Sequence, residues 1–145
     1  MIRLLLVDDH ALFRSSLRVR LEGEDGITTI GEAGTAEQAV TKTRVLRPDV
    51  VLLDLILPRK DGYAATPELV NASPATKVLV VSSQTQPSAV RQALAAGARG
   101  FVSKRSSDTE LIEAIRRVAG GEQYAEPSLG ARLVVDLIAG THRVV

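Results

Sequence analysis

Short apolar runs rich in β-branched residues alternate with longer stretches of helical periodicity along most of the sequence, and this alternation limits the fold more than any other feature. The runs are Arg3–Val7, Ile27–Glu32, Val50–Asp54, Val78–Ser82 and Gly100–Ser103. Most are too continuously apolar for strands with one wet face; they read as strands buried on both faces. Helical patterns fall near residues 11–22, 35–46, 66–72, 87–97 and 108–119. Thr35 with Gln38 and Ser107 with Glu110 have capping-box spacing, which places helix starts there. Pro87 suits a first helical turn, Gly97 follows a last one, Pro48 ends the second helix, and Asp61-Gly62 marks a turn. Five β-α units in strict alternation predict a parallel sheet with helices on both faces.

Composition narrows the function classes. The 145 residues are 45% hydrophobic but only 3% aromatic, so the core is built from Leu, Val, Ile and Ala. A formal charge of +1 without a block of like charges argues against non-specific nucleic-acid binding, which needs a concentrated basic face. With no cysteine, disulfides and thiolate metal sites are excluded. Asp8-Asp9 interrupts the opening apolar run too early for a signal peptide, and no other run approaches the ~20 residues that span a bilayer. The expectation is a soluble cytoplasmic protein with no membrane partner.

Gly120-Gly121 breaks the alternation. Beyond it Pro127 can open one more helix, on which Leu129, Leu133 and Leu137, beside Val134 and Ile138, form an amphipathic stripe. We therefore expect a first domain over residues 1–121 and a linker helix with tail over 122–145. Packing on its own domain is as good a reading of the stripe as a dimer or interdomain contact.

Open parallel sheets bind ligands outside the carboxyl ends of their strands. The first strand ends in Asp8-Asp9, the third in Asp54, the fourth in Ser82-Ser83 and the fifth in Lys104; the second ends near Glu32-Ala33 with nothing distinctive. The three acids carry about −3 and the lysine returns about +1, an arrangement that raises carboxylate pKa values unless a cation intervenes. Oxygen ligands alone, with His10 and His142 expected to be remote, favour the hard ion Mg²⁺ over zinc. Magnesium retains waters and takes few carboxylates, which leaves room for a phosphate oxygen.

Val7-Asp8-Asp9-His10, Leu53-Asp54-Leu55 with Pro58 and Asp61-Gly62, Val81-Ser82-Ser83, and Phe101-Val102-Ser103-Lys104 resemble the four signature segments of response-regulator receiver domains, in order along residues 1–120. One such segment alone is a weak match, and four in register are specific. Asp9-His10-Ala11-Leu12-Phe13-Arg14, Ala96-Gly97-Ala98 and the stretch Glu110–Ile115 followed by Gly121-Glu122 are similar to the NarL/FixJ (LuxR-type) class of two-component transcription regulators. The resemblance implies a flavodoxin-like, doubly wound sheet of five strands in the order 2-1-3-4-5.

It also implies roles. Asp54 would accept a phosphoryl group from the phosphohistidine of a cognate sensor histidine kinase. Asp8, Asp9, Asp54 and the backbone carbonyl of Ile56 would hold Mg²⁺, while Lys104 and the Ser82 hydroxyl would contact the phosphoryl oxygens. Ser82 moving inward would vacate space behind the fourth strand, and Phe101 matches the switch aromatic that fills it. The implied function is a phosphorylation-dependent switch rather than a multiple-turnover enzyme. DNA would be reached only through a C-terminal helix-turn-helix domain absent from this chain, with a homodimer through the first and fifth helices as a possible partner state.

Each residue also has a plainer reading. Asp8-Asp9 can cap the first helix, Lys104 can be a solvated strand-end lysine, Ser82 a turn residue and Phe101 core, while Arg14, Arg18, Arg116 and Arg117 read as solvated helix faces. Asp54 is harder to explain away, because an acid ending so apolar a run is costly to bury unpaired. Three positions depart from the commonest receiver pattern: Arg59-Lys60 adds positive charge near the site, Pro67 predicts that the third helix starts around it, and Arg105 stands where proline is frequent in other receiver classes. Ile56 and Gln84 match positions that tune phosphoryl lifetime in the family. A Mg²⁺-dependent phosphatase is a rival reading, disfavoured because Leu55-Ile56 replaces the Asp-x-Asp of such enzymes. A stand-alone receiver and a phosphorylation-independent pseudo-receiver acting by protein–protein contact remain alternatives.

Overall fold

A computed structural model describes residues 1–125. Among the described residues, five helices and six strands alternate: β1 (Ile2–Val7), α1 (Ala11–Leu21), β2 (Ile27–Ala33), α2 (Ala36–Leu46), β3 (Val50–Leu53), α3 (Gly62–Ala72), β4 (Lys77–Ser82), α4 (Pro87–Ala96), β5 (Gly100–Ser103), α5 (Asp108–Ala119) and β6 (Tyr124–Ala125). All strand pairs are parallel, in the order β2-β1-β3-β4-β5-β6. The expected order 2-1-3-4-5 is present, and a two-residue strand is added at the β5 edge. The helix expected over Pro127–Ala139 lies outside the described residues.

The continuous apolarity of the strands follows from two cores. Leu5, Val7, Val51, Leu53 and Val80 pack with Ala36 and Ala39 of α2, Leu69 of α3 and Val90 of α4 on one face. Alternate residues Leu4, Leu6, Val50, Leu52 and Val81 meet Leu17 and Leu21 of α1 and Leu111, Ile115 and Val118 of α5 on the other. Each buried side chain of this size contributes ~1.5–3 kcal/mol by leaving water.

The helix starts expected at Thr35 and Ser107 hold. Thr35 Oγ1 accepts from the Gln38 N–H at 3.2 Å, and Ser107 Oγ accepts from the Glu110 N–H at 3.2 Å. Gly97 closes α4 with φ of 116°, a conformation that favours glycine.

Helix α3 differs from its expected bounds. It begins at Gly62, four residues before the sequence pattern suggested, and runs through Pro67. Asp61 is its N-cap, with Oδ1 accepting from the Ala64 N–H at 2.9 Å, so the Asp-Gly pair starts a helix instead of marking an isolated turn. Pro67 gives up one internal hydrogen bond, but the apolar contacts of Ala65 and Leu69 lie on both sides of it. Gly62 is required by proximity: a Cβ there would sit 2.6 Å from the Asp54 carbonyl oxygen and 2.8 Å from the Leu55 Cα.

Candidate functional site

The sheet places its strand-end residues by extending the backbone ladder one step past each strand. The Asp8 N–H donates to the Ala33 carbonyl at 3.1 Å, the Asp54 N–H to the Val7 carbonyl at 2.9 Å, and the Lys104 N–H to the Ser82 carbonyl at 3.0 Å. Each functional residue is thereby tied to the end of the neighbouring strand, so β1, β3, β4 and β5 deliver their last residues to one rim.

The rim gathers opposite charges. Lys104 Nζ lies 2.8 Å from Asp8 Oδ2 and 3.2 Å from Asp54 Oδ2, and both carboxylates are buried. Asp8 Oδ1 accepts from the His10 N–H at 2.8 Å, which turns the chain out of β1. The Ile56 N–H donates to Asp54 Oδ1 at 3.3 Å. Burial and the nearby Asp8 carboxylate push the Asp54 pKa above its ordinary value, while Lys104 and the Ile56 N–H pull it back. Lys104 loses by desolvation, but its contacts with Asp8 and Asp54 hold its pKa above the usual lysine value. The charged lysine therefore belongs to the site.

Asp8, Asp9, His10 and Asp54 each bring a ligand atom within 4.8 Å of the others. Asp8 Oδ2 is buried, and the contact found for it is the Lys104 ammonium at 2.8 Å. Three carboxylates of which two are buried, matched by one lysine, fit a small divalent cation. His10 corrects the sequence reading: it is not remote, since Nδ1 lies 3.3 Å from Asp8 Oδ1 and 3.2 Å from Asp9 Oδ1. His142 lies outside the described residues.

Ser82 is fully buried, and its Oγ accepts from the Gln84 N–H at 3.0 Å. A hydroxyl that accepts this bond still has its own proton to donate. Phe101 is also fully buried, in one cluster with Leu53, Leu55, Val80, Ala89 and Val90 beneath the rim. This is the core position that the plainer reading gave it.

Two site neighbours escaped the sequence reading, both from the first turns of α1. The Phe13 ring stacks under Lys104, with Nζ 4.4 Å from the ring centroid. Arg14, read as solvated, is instead largely covered; it donates from NH1 to the Asp8 carbonyl and from Nε to Glu32 Oε1 at 3.2 Å. Glu32 had seemed undistinctive, yet it also pairs with Arg18 at 3.0 Å. The available signal was positional: a helix that starts one residue beyond an acid pair, with only His10 between, can turn its fourth residue back toward that pair.

A flavodoxin-like parallel sheet whose rim combines buried aspartates, a lysine and a serine defines a receiver domain. The chain belongs to the response regulator receiver domain family, which matches residues 4–116. The members of this family are signalling switches of two-component systems.

Among the individual relatives, the response regulator GacA of Pseudomonas viridiflava is 36% identical over 135 residues, covering 93% of this chain and 63% of the relative. A LuxR-family two-component response regulator from Aurantimonas sp. SI85-9A1 superposes with a TM-score of 0.89 at 30% identity, covering 94% of this chain and 97% of that one. The receiver domain of the putative response regulator NarL from Mycobacterium tuberculosis gives 0.78 at 34% identity, covering 83% and 98%. The NarL/FixJ resemblance read from the sequence agrees with these relatives. Against GacA, the chain spans 63% of the length of the relative it matches. Among the described residues, no helix is long and apolar enough to cross a membrane.

Proposed function

We propose that the chain is a phosphoryl-accepting switch in which Asp54 takes a phosphoryl group from a sensor histidine kinase. The observation that carries this reading is the convergence of Asp8, Asp54 and Lys104 at the ends of three strands, with both carboxylates buried and within 3.2 Å of one ammonium. A carboxylate oxygen of Asp54 attacks phosphorus, the phosphorus–nitrogen bond of the donor phosphohistidine breaks, and an aspartyl phosphate forms. Asp8, Asp9, Asp54 and the Ile56 carbonyl are the proposed Mg²⁺ ligands. When bound, the ion neutralises the negative charge that gathers on the transferring group. Lys104 shifts from the two carboxylates to a phosphoryl oxygen, and its ammonium is already within reach. Ser82 keeps its bond from Gln84 and donates its hydroxyl proton to the same group. Positioning and charge neutralisation are nearly all that a loose phosphoryl-transfer transition state requires of the protein.

The signal then leaves through β5. Ser82 ends β4 in register with Ser103 of β5, the strand that carries Phe101 and leads into Lys104, so an altered Ser82 position would pass to β5 through that pairing. The readout surface is α4, β5 and α5. In the full-length protein, the proposed output is transcription control through a C-terminal helix-turn-helix domain, with residues 122–145 as the connection and cytoplasmic location. Leu12 and Val19, exposed along α1, offer an apolar strip for a homodimer through α1 and α5.

Beryllofluoride, which mimics an aspartyl phosphate, tests the site without a kinase. In calorimetry it binds wild type only in the presence of Mg²⁺, and Asp54→Asn abolishes the binding heat. Wild type that takes up neither Mg²⁺ nor beryllofluoride overturns the reading in favour of a phosphorylation-independent pseudo-receiver.

A further inference from the structure

We propose that Arg14 is a positioning residue for the acid pair Asp8–Asp9, acting through the Asp8 backbone and locked in place by Glu32. This rests on the reading of the site as a Mg²⁺ centre. The Asp8 carbonyl belongs to the peptide plane joining Asp8 to Asp9, so its direction sets how Asp9 leaves the strand. The preceding amide is already fixed, because the Asp8 N–H donates to Ala33. Arg14 NH1 supplies the second restraint, donating to the Asp8 carbonyl where the β1 ladder has run out. With both backbone groups of Asp8 held, the plane that carries the two acids has little freedom left.

The guanidinium is itself held. Its Nε donates to Glu32 Oε1 at 3.2 Å, while Arg18 NH2 lies 3.0 Å from Glu32 Oε2. Lys42 Nζ donates to the Glu32 carbonyl, which anchors the same residue from α2. Arg14 thus adds a side-chain link from Glu32 near the end of β2 to the two acids at the end of β1. Arg14 reaches the carbonyl and the carboxylate through two different nitrogens of a planar fork, a geometry that the single nitrogen of lysine does not reproduce.

The test is Mg²⁺ binding to the unphosphorylated chain by calorimetry, with circular dichroism as a check on folding. Outer contacts that orient ligands typically govern metal affinity by about 10–100-fold. Arg14→Gln is expected to raise the Mg²⁺ midpoint about tenfold while the chain remains folded, and Arg14→Lys to fall between it and wild type. An Arg14→Gln midpoint equal to that of wild type overturns the proposal while leaving the site reading intact. Wild type that binds no Mg²⁺ removes the site reading and the proposal with it. Should Arg14→Gln not fold, Glu32→Gln carries the test: a severalfold weaker midpoint supports the lock, and an unchanged one overturns it.

Discussion

At the scale of single residues, the site sets stability against function. Asp54 is buried beside Asp8, and its pKa lies above its ordinary value of 3.8 in the folded chain. An acid with a raised folded pKa binds more protons folded than unfolded, so stability falls as pH rises from about 3.8 through the folded pKa. Above that window the ionised carboxylate opposes folding. Asp54→Asn is therefore expected to be more stable than wild type at pH 7, by about 1 kcal/mol, the size of a typical single substitution. Lys104 keeps its 2.8 Å partner Asp8 in that variant. Thermal unfolding at pH 7 and pH 3.5 measures both ends, and the advantage should shrink at the lower pH. An Asn variant less stable than wild type at pH 7 contradicts this. The residue types at the strand ends were legible because chemistry dictates them. The partners Phe13, Arg14 and Glu32 were not, because a residue that acts through another's backbone looks like any helix arginine or strand glutamate in sequence.

At the scale of elements, α3 shows where local signals compete. Pro67 read as a helix start because proline in a helix interior is costly, yet the Asp61 cap and the buried Leu69 favour the longer helix. Gly62 read as a turn glycine, but what it permits is the seating of α3 against the backbone of Asp54 and Leu55. Two substitutions separate these effects. Pro67→Ala, at an exposed position, restores the N–H that Pro67 lacks and should stabilise the chain by about 1–2 kcal/mol in urea unfolding. Gly62→Ala forces the helix away from the strand end and should cost about 1–3 kcal/mol. It should also weaken Mg²⁺ binding, because Asp54 moves with its backbone. β6 could not have been foreseen, since two residues carry no periodicity. It is made by register: the Tyr124 N–H donates to the Arg99 carbonyl, and Gly100 allows the approach.

At the scale of the whole molecule, the parallel sheet and the convergence at the rim were legible because both follow from alternation, whereas the strand order came only with the resemblance to receiver domains. Strands that are apolar without a break need helices on both faces, and a parallel sheet then brings every strand's last residue to one side. The relation of the receiver to residues 126–145, and to whatever follows in longer relatives, lies outside this logic. The central claim is that this rim accepts a phosphoryl group at Asp54 and nowhere else. Incubation with Mg²⁺ and acetyl phosphate, followed by intact mass, tests it most directly beside an Asp54→Asn control. The account predicts a single base-labile phosphoryl adduct on wild type, dependent on Mg²⁺ and missing from the variant. An adduct of equal yield on Asp54→Asn, or no adduct on a wild type that also fails to bind Mg²⁺ and beryllofluoride, would contradict it.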